Sequence, residues 1–134
     1  METAIAVSWI AVIVAAVVRF AIGAAWYAPP VFGKIWQEAA GVKPDPSQMP
    51  KAMVVQAIGD LIMAYILARI LGHYGAETLL AGGFVGFMAW LGFIVPVMAG
   101  GIVFERRPMN YAYVNGGFNL VSIVVMGAVI SVLT

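Results

Sequence analysis

The sequence contains no cysteine and a single histidine, His73. It can therefore form neither disulfide bridges nor thiolate metal sites, and it cannot supply two histidines to a haem. Charged side chains make up only 10% of the 134 residues, against about 25% in ordinary globular domains, and the formal net charge is +1. Without a cluster of Lys and Arg to neutralise phosphates, nucleic-acid binding is excluded.

The sequence also lacks the side-chain sets that enzymes use. Its serines have no basic partner nearby, and no pair of carboxylates has a spacing suited to hydrolysis. Met49 and Met53 lie one helical turn apart and could bind a soft metal, but in a chain with eight methionines and no cysteine they are better interpreted as apolar filling. We expect no enzymatic activity, no metal and no cofactor.

Apolar residues are abundant: they make up 63% of the chain, and the mean hydropathy is +1.00. A soluble domain of this length could not bury so much apolar surface. We therefore expect a single integral membrane domain covering residues 1–134. The first apolar run has neither a basic leader nor a small-residue cleavage site, so we expect it to remain as a span.

Four apolar runs are long enough to cross a bilayer, which takes about 20 helical residues. They cover residues 4–28, 51–72, 79–104 and 109–133. The third run is longer than a span requires and contains Pro96, so we expect that helix to tilt or kink there. Because helices satisfy their own backbone hydrogen bonds in lipid, the predicted fold class is all-α, a four-helix transmembrane bundle.

The distribution of basic residues predicts the orientation. Lys34, Lys43 and Lys51 flank the loop after the first span, and Arg106 and Arg107 lie in the loop after the third. Since positive loops stay in the cytoplasm, we expect both termini on the non-cytoplasmic side of a bacterial inner membrane.

The stretch WYAPPVFGKIW, residues 26–36, follows the first span. Its aromatic residues are typical of a membrane–water interface, and its prolines end the span. Residues 30–40 then have an amphipathic pattern that ends at Gly41, a favoured helix C-cap, which predicts a short interfacial helix. The predicted interfacial anchors are Trp26, Tyr27, Pro29, Phe32, Gly33 and Trp36.

The spacing of WYxPxxFGxxW resembles a family of small bacterial four-span membrane proteins known only as a domain of unknown function. Three later segments are also similar to that family: GFVGFMAWLGF, FERRP and GGFNLVSIVVMGAVI. The resemblance covers nearly the whole chain. It implies a multi-pass membrane protein of this size, and it implies no activity and no residue roles.

Two opposite charges are predicted to share one depth in the membrane. Arg19 lies nine residues before Ala28, and Asp60 lies nine residues after Lys51, so each is about 13 Å from the same end at about 1.5 Å per residue. Because a lone charge there is unfavourable, we expect a salt bridge between the first two spans. Further polar residues gather at this level, and the predicted polar site comprises Arg19, Gln56, Asp60, Asn115 and Asn119.

Two interpretations of this polar site remain open. It could simply hold the helices together. It could instead be a solute or proton site, with Asp60 as the titrating group and Arg19 as its counter-ion or as an anion anchor. The corresponding function hypotheses are a small oligomeric transporter or channel-like protein, and a non-transporting accessory or scaffold subunit of a larger membrane complex.

The glycines in the sequence do not determine the oligomeric state. Gly82-x-x-x-Gly86 is a close-packing motif that fits contacts inside the monomer as well as it fits dimerisation. Because four short spans bury little surface among themselves, we expect a homo-oligomer or a larger membrane partner.

Overall fold

The computed structural model describes residues 7–41, 43 and 45–134 of the chain. Within that part, four helical segments are long and apolar enough to cross a membrane. They cover Trp9–Trp26, Pro46–Tyr74, Leu79–Glu105 and Met109–Leu133. The predicted all-α fold class is confirmed, and the helices fit a membrane-spanning bundle.

Helix α1, Trp9–Trp26, begins after Ser8, whose hydroxyl oxygen accepts a hydrogen bond from the Ala11 amide at 3.2 Å. Serine is a favoured N-cap because it satisfies an amide that the helix leaves unpaired. The predicted start of this span, residues 4–6, lies outside the described residues. The helix ends before Ala28, which is extended because a proline follows it.

The connection to the second span contains a wide five-residue turn, Pro29–Gly33, followed by helix α2, Lys34–Ala40. A helix is therefore present in the segment predicted to contain one, although its regular part starts at Lys34. Gly41 ends α2 in the left-handed conformation, with φ 69°, as its predicted C-cap role requires. A short turn, Pro46–Gln48, then leads into helix α3, Met49–Tyr74.

The third span consists of helices α4, Leu79–Ala89, and α5, Val95–Glu105, which are joined by a second wide turn, Trp90–Ile94. At this turn the Val95 amide donates to the Trp90 carbonyl, five residues earlier instead of four. Pro96 has no amide hydrogen, and its ring crowds the carbonyl one turn back, so the helix widens just before it. The departure from a regular helix next to Pro96 thus takes the form of a widened turn, and the predicted tilt or kink stays a prediction.

Helix α6, Met109–Leu133, has the predicted bounds of the fourth span and forms the centre of the bundle. It packs most extensively on α4 and also on α1, which in turn packs on α3. Glycines permit the close approach of α4. A methyl group on Gly86 would lie 2.5 Å from the Ile123 carbonyl oxygen, and one on Gly82 would overlap the Gly127 carbonyl. The Gly82-x-x-x-Gly86 motif thus packs against α6 of the same chain.

The apolar core fills only part of the bundle. Its buried side chains lie in the half that holds the beginning of α1 and the end of α6, and they include Ala11, Val12, Ala15, Leu67, Leu71, Val85, Met126 and Ile130. The other end, where α1 finishes and α3 and α6 begin, carries α2 and is called the α2 end below. There α5 has no buried residue, so this half of the bundle is more open.

Candidate functional site

An ion pair between the first two spans lies where the dry core gives way to the open half. Nε of Arg19 donates to Oδ1 of Asp60 at 2.8 Å, and only 8% and 1% of the two side-chain surfaces are exposed. A single charge at such a depth costs roughly 2.5–3.5 kcal/mol on insertion scales, so pairing allows both groups to lie in the apolar layer. The salt bridge expected from equal depths is present.

The guanidinium of Arg19 also binds α6. Its Nη1 donates to Oγ of Ser122, and its Nη2 donates to Oδ1 of Asn119 at 3.1 Å. Its central carbon lies 4.5 Å from the centre of the Phe118 ring, a cation–π distance. An arginine side chain has five N–H groups. Three of them donate to acceptors in the described part of the chain, which leaves two for other partners.

The Asp60 carboxylate is bound through one oxygen only. Oδ1 accepts hydrogen bonds from Arg19 and from Nε2 of Gln56, the latter at 2.7 Å. Oδ2 is buried and has no hydrogen-bond partner among residues 7–41, 43 and 45–134. Because buried polar atoms are seldom left without a partner, this oxygen is a distinctive feature of the site. It is available to accept a hydrogen bond or a proton.

A cleft of about 720 Å³ leads from Arg19 toward the α2 end. Part of its lining is polar and comes from α1, α3 and α6: Arg19, Gln56, Asn115 and Asn119. The third span supplies an apolar part: Phe93, Ile94, Val97, Met98 and Ile102. Asp60 lies behind this lining, so the cleft reaches the basic member of the ion pair. Sites for small molecules have volumes of about 300–1,000 Å³, and this cleft is within that range.

Tyr27 connects the polar site to the α2 end. Its hydroxyl group donates to Oδ1 of Asn115, and the backbone carbonyl of Asn115 accepts a hydrogen bond from Nδ2 of Asn119 at 3.0 Å. Burial raises the pKa of Tyr27 to about 12; the positive charge of Arg19 opposes this rise, and Tyr111 adds to it. Tyr27 therefore remains a neutral hydrogen-bond donor at physiological pH.

Charged groups line the outer part of the cleft. Arg107 donates from Nη1 to the Ala40 carbonyl at 3.2 Å, which ties the loop before α6 to the end of α2. Its Nε donates to Oε1 of Glu105 at 3.2 Å, and this second ion pair is exposed, with 36% and 61% of the side-chain surfaces accessible. The outer cleft thus contains charges of both signs, whereas Arg19 is the charged residue that lines its deep part.

The aromatic motif after α1 forms a compact cluster. The rings of Trp26 and Phe32 have centres 4.9 Å apart, and those of Tyr27 and Trp36 have centres 5.5 Å apart. A side chain at Gly33 would overlap the Tyr27 carbonyl, so the tight return of the chain requires glycine. The indole nitrogen of Trp26 donates to an α6 carbonyl at 2.9 Å. This packing accounts for the WYxPxxFGxxW spacing, while the location of the cluster at a membrane surface stays a prediction.

The structure brings the predicted polar residues into one hydrogen-bonded set that runs from Gln56 and Asp60 through Arg19 to Asn119 and Asn115. Sequence reasoning missed two contributions. The sequence motif predicts an interfacial anchor at Tyr27 and no link to the polar site, and an aromatic residue such as Phe118 in an apolar helix carries no distinguishing signal. Both follow from side-chain packing between α1 and α6.

The fold and the polar cleft define a small all-α protein with four apolar helices that could cross a membrane and with a buried ion pair between the first two of them. Residues 10–131 match the family described as Protein of unknown function (DUF1761), and the chain belongs to that family. The predicted resemblance to a family of unknown function is thereby confirmed. No curated protein and no solved structure matches the chain. Because the family description assigns no activity, function has to be inferred from the geometry of the site.

Proposed function

We propose that the protein is a small oligomeric transporter or channel-like protein that binds a small solute beside Arg19, Gln56 and Asn119. The observation that carries this proposal is the cleft, which extends from the α2 end to a buried cationic group. Polar residues that serve only to join helices need no such space, because they are enclosed between the helices they connect. The buried core beyond Arg19 blocks the path at the far end, so the conformation is open to one side, as alternating access requires.

The charge distribution supports an orientation for this proposal. The α2 end is flanked by five basic residues, Lys34, Lys43, Lys51, Arg106 and Arg107. In a bacterial inner membrane such an end faces the cytoplasm, with both termini outside. The cleft would then open to the cytoplasm. We propose no catalytic step and no cofactor, since the single histidine, His73, lies in the last turn of α3 at the other end of the bundle.

Measuring whether water reaches the cleft tests the proposal directly. The chain has no cysteine, so single-cysteine variants report on one position each. Met98→Cys places a thiol in the cleft, and Val17→Cys places one at the depth of Arg19 on a surface that is 61% exposed and lies outside the cleft. A charged, membrane-impermeant thiol reagent should modify Met98→Cys from the α2 side and leave Val17→Cys unmodified. If neither thiol reacts, the cleft holds no water and the transport proposal fails.

One observation favours the second candidate, an accessory or scaffold subunit. Gly92 and Gly100 on the third span have open space where a side chain would be, so this surface could receive a helix of another membrane protein. Native mass spectrometry of gently purified protein distinguishes the candidates. A fixed-ratio complex with a different membrane protein, lost in Gly92→Leu, would support the accessory role, whereas a homo-oligomer that retains a small ligand would support transport.

A further inference from the structure

We propose that the solute is a small organic anion and that it binds together with one proton, which Asp60 takes up. This inference rests on the proposed function and adds the ligand class and the coupling ion. Four features of the described residues carry it: the unused donors of Arg19, the apolar wall of the cleft, the charge balance of the buried pair and the unpartnered oxygen of Asp60.

The deep end of the cleft is built to donate hydrogen bonds to an anion. Arg19 lines it and has two N–H groups without acceptors in the described part of the chain. Gln56 and Asn119 line it as well, with side-chain amides. A planar guanidinium binds a carboxylate or sulfonate group by two parallel, charge-assisted hydrogen bonds, and neither a cation nor a neutral molecule supplies the negative charge that strengthens them.

The wall of the cleft favours an anion with an apolar body. Phe93, Val97 and Met98 from the third span and Phe118 from α6 line the same space as Arg19. A hydrated inorganic ion would lose water against these side chains without gaining contacts, whereas an aliphatic or aromatic group would be stabilised by burial. The volume of about 720 Å³ is sufficient for such a molecule.

The charge balance of the site requires a proton. Arg19 and Asp60 together are neutral, so binding an anion to Arg19 would leave one negative charge in the apolar layer. An unpaired charge at that depth costs roughly 2.5–3.5 kcal/mol on insertion scales. If Asp60 gains a proton as the anion binds, the site is neutral again, and the anion replaces the aspartate as the counter-ion of Arg19.

The structure offers a place for this proton. Oδ2 of Asp60 has no partner among the described residues, so it can be protonated while Oδ1 continues to accept from Gln56. Arg19 of α1 is the charged group bonded to Asp60, and the α6 side chains that contact this arginine, Phe118, Asn119 and Ser122, are neutral. The remaining titratable groups of the cleft line its outer part: Tyr27, Glu105, Arg107 and Tyr111. The proton comes from water on the side from which the anion enters, and both leave together on the other side.

Binding of a probe to the wild-type protein in lipid nanodiscs tests the proposal. Benzenesulfonate is suitable because it stays charged at every pH, so any pH dependence belongs to the protein. We expect its affinity to fall about tenfold per pH unit over the range in which binding takes up one proton, as linkage requires. In weakly buffered solution, a pH indicator should report one proton taken up per anion bound. Benzamide and benzylammonium, of similar size, should not bind.

Two variants separate Asp60 from the other carboxylate of the cleft. Asp60→Asn imitates the protonated aspartate, so it should bind benzenesulfonate with an affinity independent of pH. Glu105→Gln removes the exposed carboxylate and should keep the wild-type slope. If Asp60→Asn does not fold, proton uptake by the wild-type protein decides the question.

Three outcomes would overturn the inference. Binding without pH dependence or proton uptake, or equal binding of benzamide or benzylammonium, would reject it and leave the proposed solute site in place. Failure of all three probes, combined with an unreactive thiol in Met98→Cys, would reject both the inference and the proposed function.

Discussion

Removing both charges of the Arg19–Asp60 pair should destabilise the protein less than the summed losses of the two single variants. Arg19→Leu deletes three hydrogen-bond donors and leaves the Asp60 carboxylate with Gln56 as its remaining partner. Breaking a buried ion pair in this way costs about 3–5 kcal/mol. Asp60→Asn retains an acceptor oxygen for the donors of Arg19 and Gln56, so its loss of unfolding free energy should lie near the lower end of that range. The double variant leaves neither charge of the pair buried, so its loss in unfolding free energy should be smaller than the sum of the two single losses by about 1–3 kcal/mol.

Tryptophan fluorescence during thermal unfolding in a mild detergent measures these differences, because the chain has four tryptophans. For a chain of this length, 1 kcal/mol corresponds to about 3–5 °C in the midpoint of unfolding. Arg19→Leu should therefore lower the midpoint by roughly 10–25 °C, for a loss of about 3–5 kcal/mol. The double variant should melt well above the temperature that simple addition of the two single effects gives.

The exposed pair Glu105 and Arg107 provides the control. Its side chains are 61% and 36% accessible, so Glu105→Gln and Arg107→Leu should show a coupling energy of no more than about 1 kcal/mol. Additive losses at Arg19 and Asp60 would show that the two charges do not stabilise each other. In that case the whole account of the site as a paired, buried centre would be wrong.

Two further predictions concern packing and ionisation. Gly82→Ala should destabilise the protein by about 1–3 kcal/mol, because its methyl group would overlap the Gly127 carbonyl. In the control Gly83→Ala, the methyl group would lie 3.5 Å from its nearest neighbour, so the stability should change by no more than about 0.5 kcal/mol. Thermal unfolding of the two variants checks this prediction. Because the phenol of Tyr27 ionises near pH 12 when folded and near pH 10 when unfolded, its contribution to stability is complete below pH 10 and is lost between pH 10 and 12. Absorbance at about 295 nm should show a phenolate step near pH 12 that Tyr27→Phe removes, and an unchanged titration would contradict the burial of this side chain.

The sequence predicted the features that follow from distance along a helix. The predicted and observed bounds of α6 agree, because each helical residue adds a fixed rise and an apolar run must therefore have a certain length to cross the bilayer. The pairing of Arg19 with Asp60 follows from the same arithmetic, since equal numbers of residues from one end place two side chains at one depth. The C-cap role of Gly41 could be predicted from local sequence, because glycine readily adopts the left-handed conformation that ends α2.

The features that depend on which helix face points inward could not be predicted. In a membrane protein the lipid-facing side is as apolar as the core, so the amphipathic periodicity that orients soluble helices is missing. For this reason the sequence left open whether Gly82 and Gly86 pack inside the chain. It also gave no indication that the cleft reaches Arg19 while Asp60 lies behind the lining. The apolar side of the cleft depends on the wide turn at Trp90–Ile94 and on the path that α5 takes after it.

The wide turn divides the third span into two helices, α4 and α5, that differ in how closely they pack on the bundle. Helix α4 is fixed to α6 by backbone-to-backbone contact at its glycines, whereas α5 beyond the turn has no buried side chain. A rotation of α5 about residues 90–94 would change the width of the cleft while the close backbone contact between α4 and α6 stays in place. The part of the third span that can move with the smallest loss of buried contacts is therefore the apolar wall beside the buried arginine.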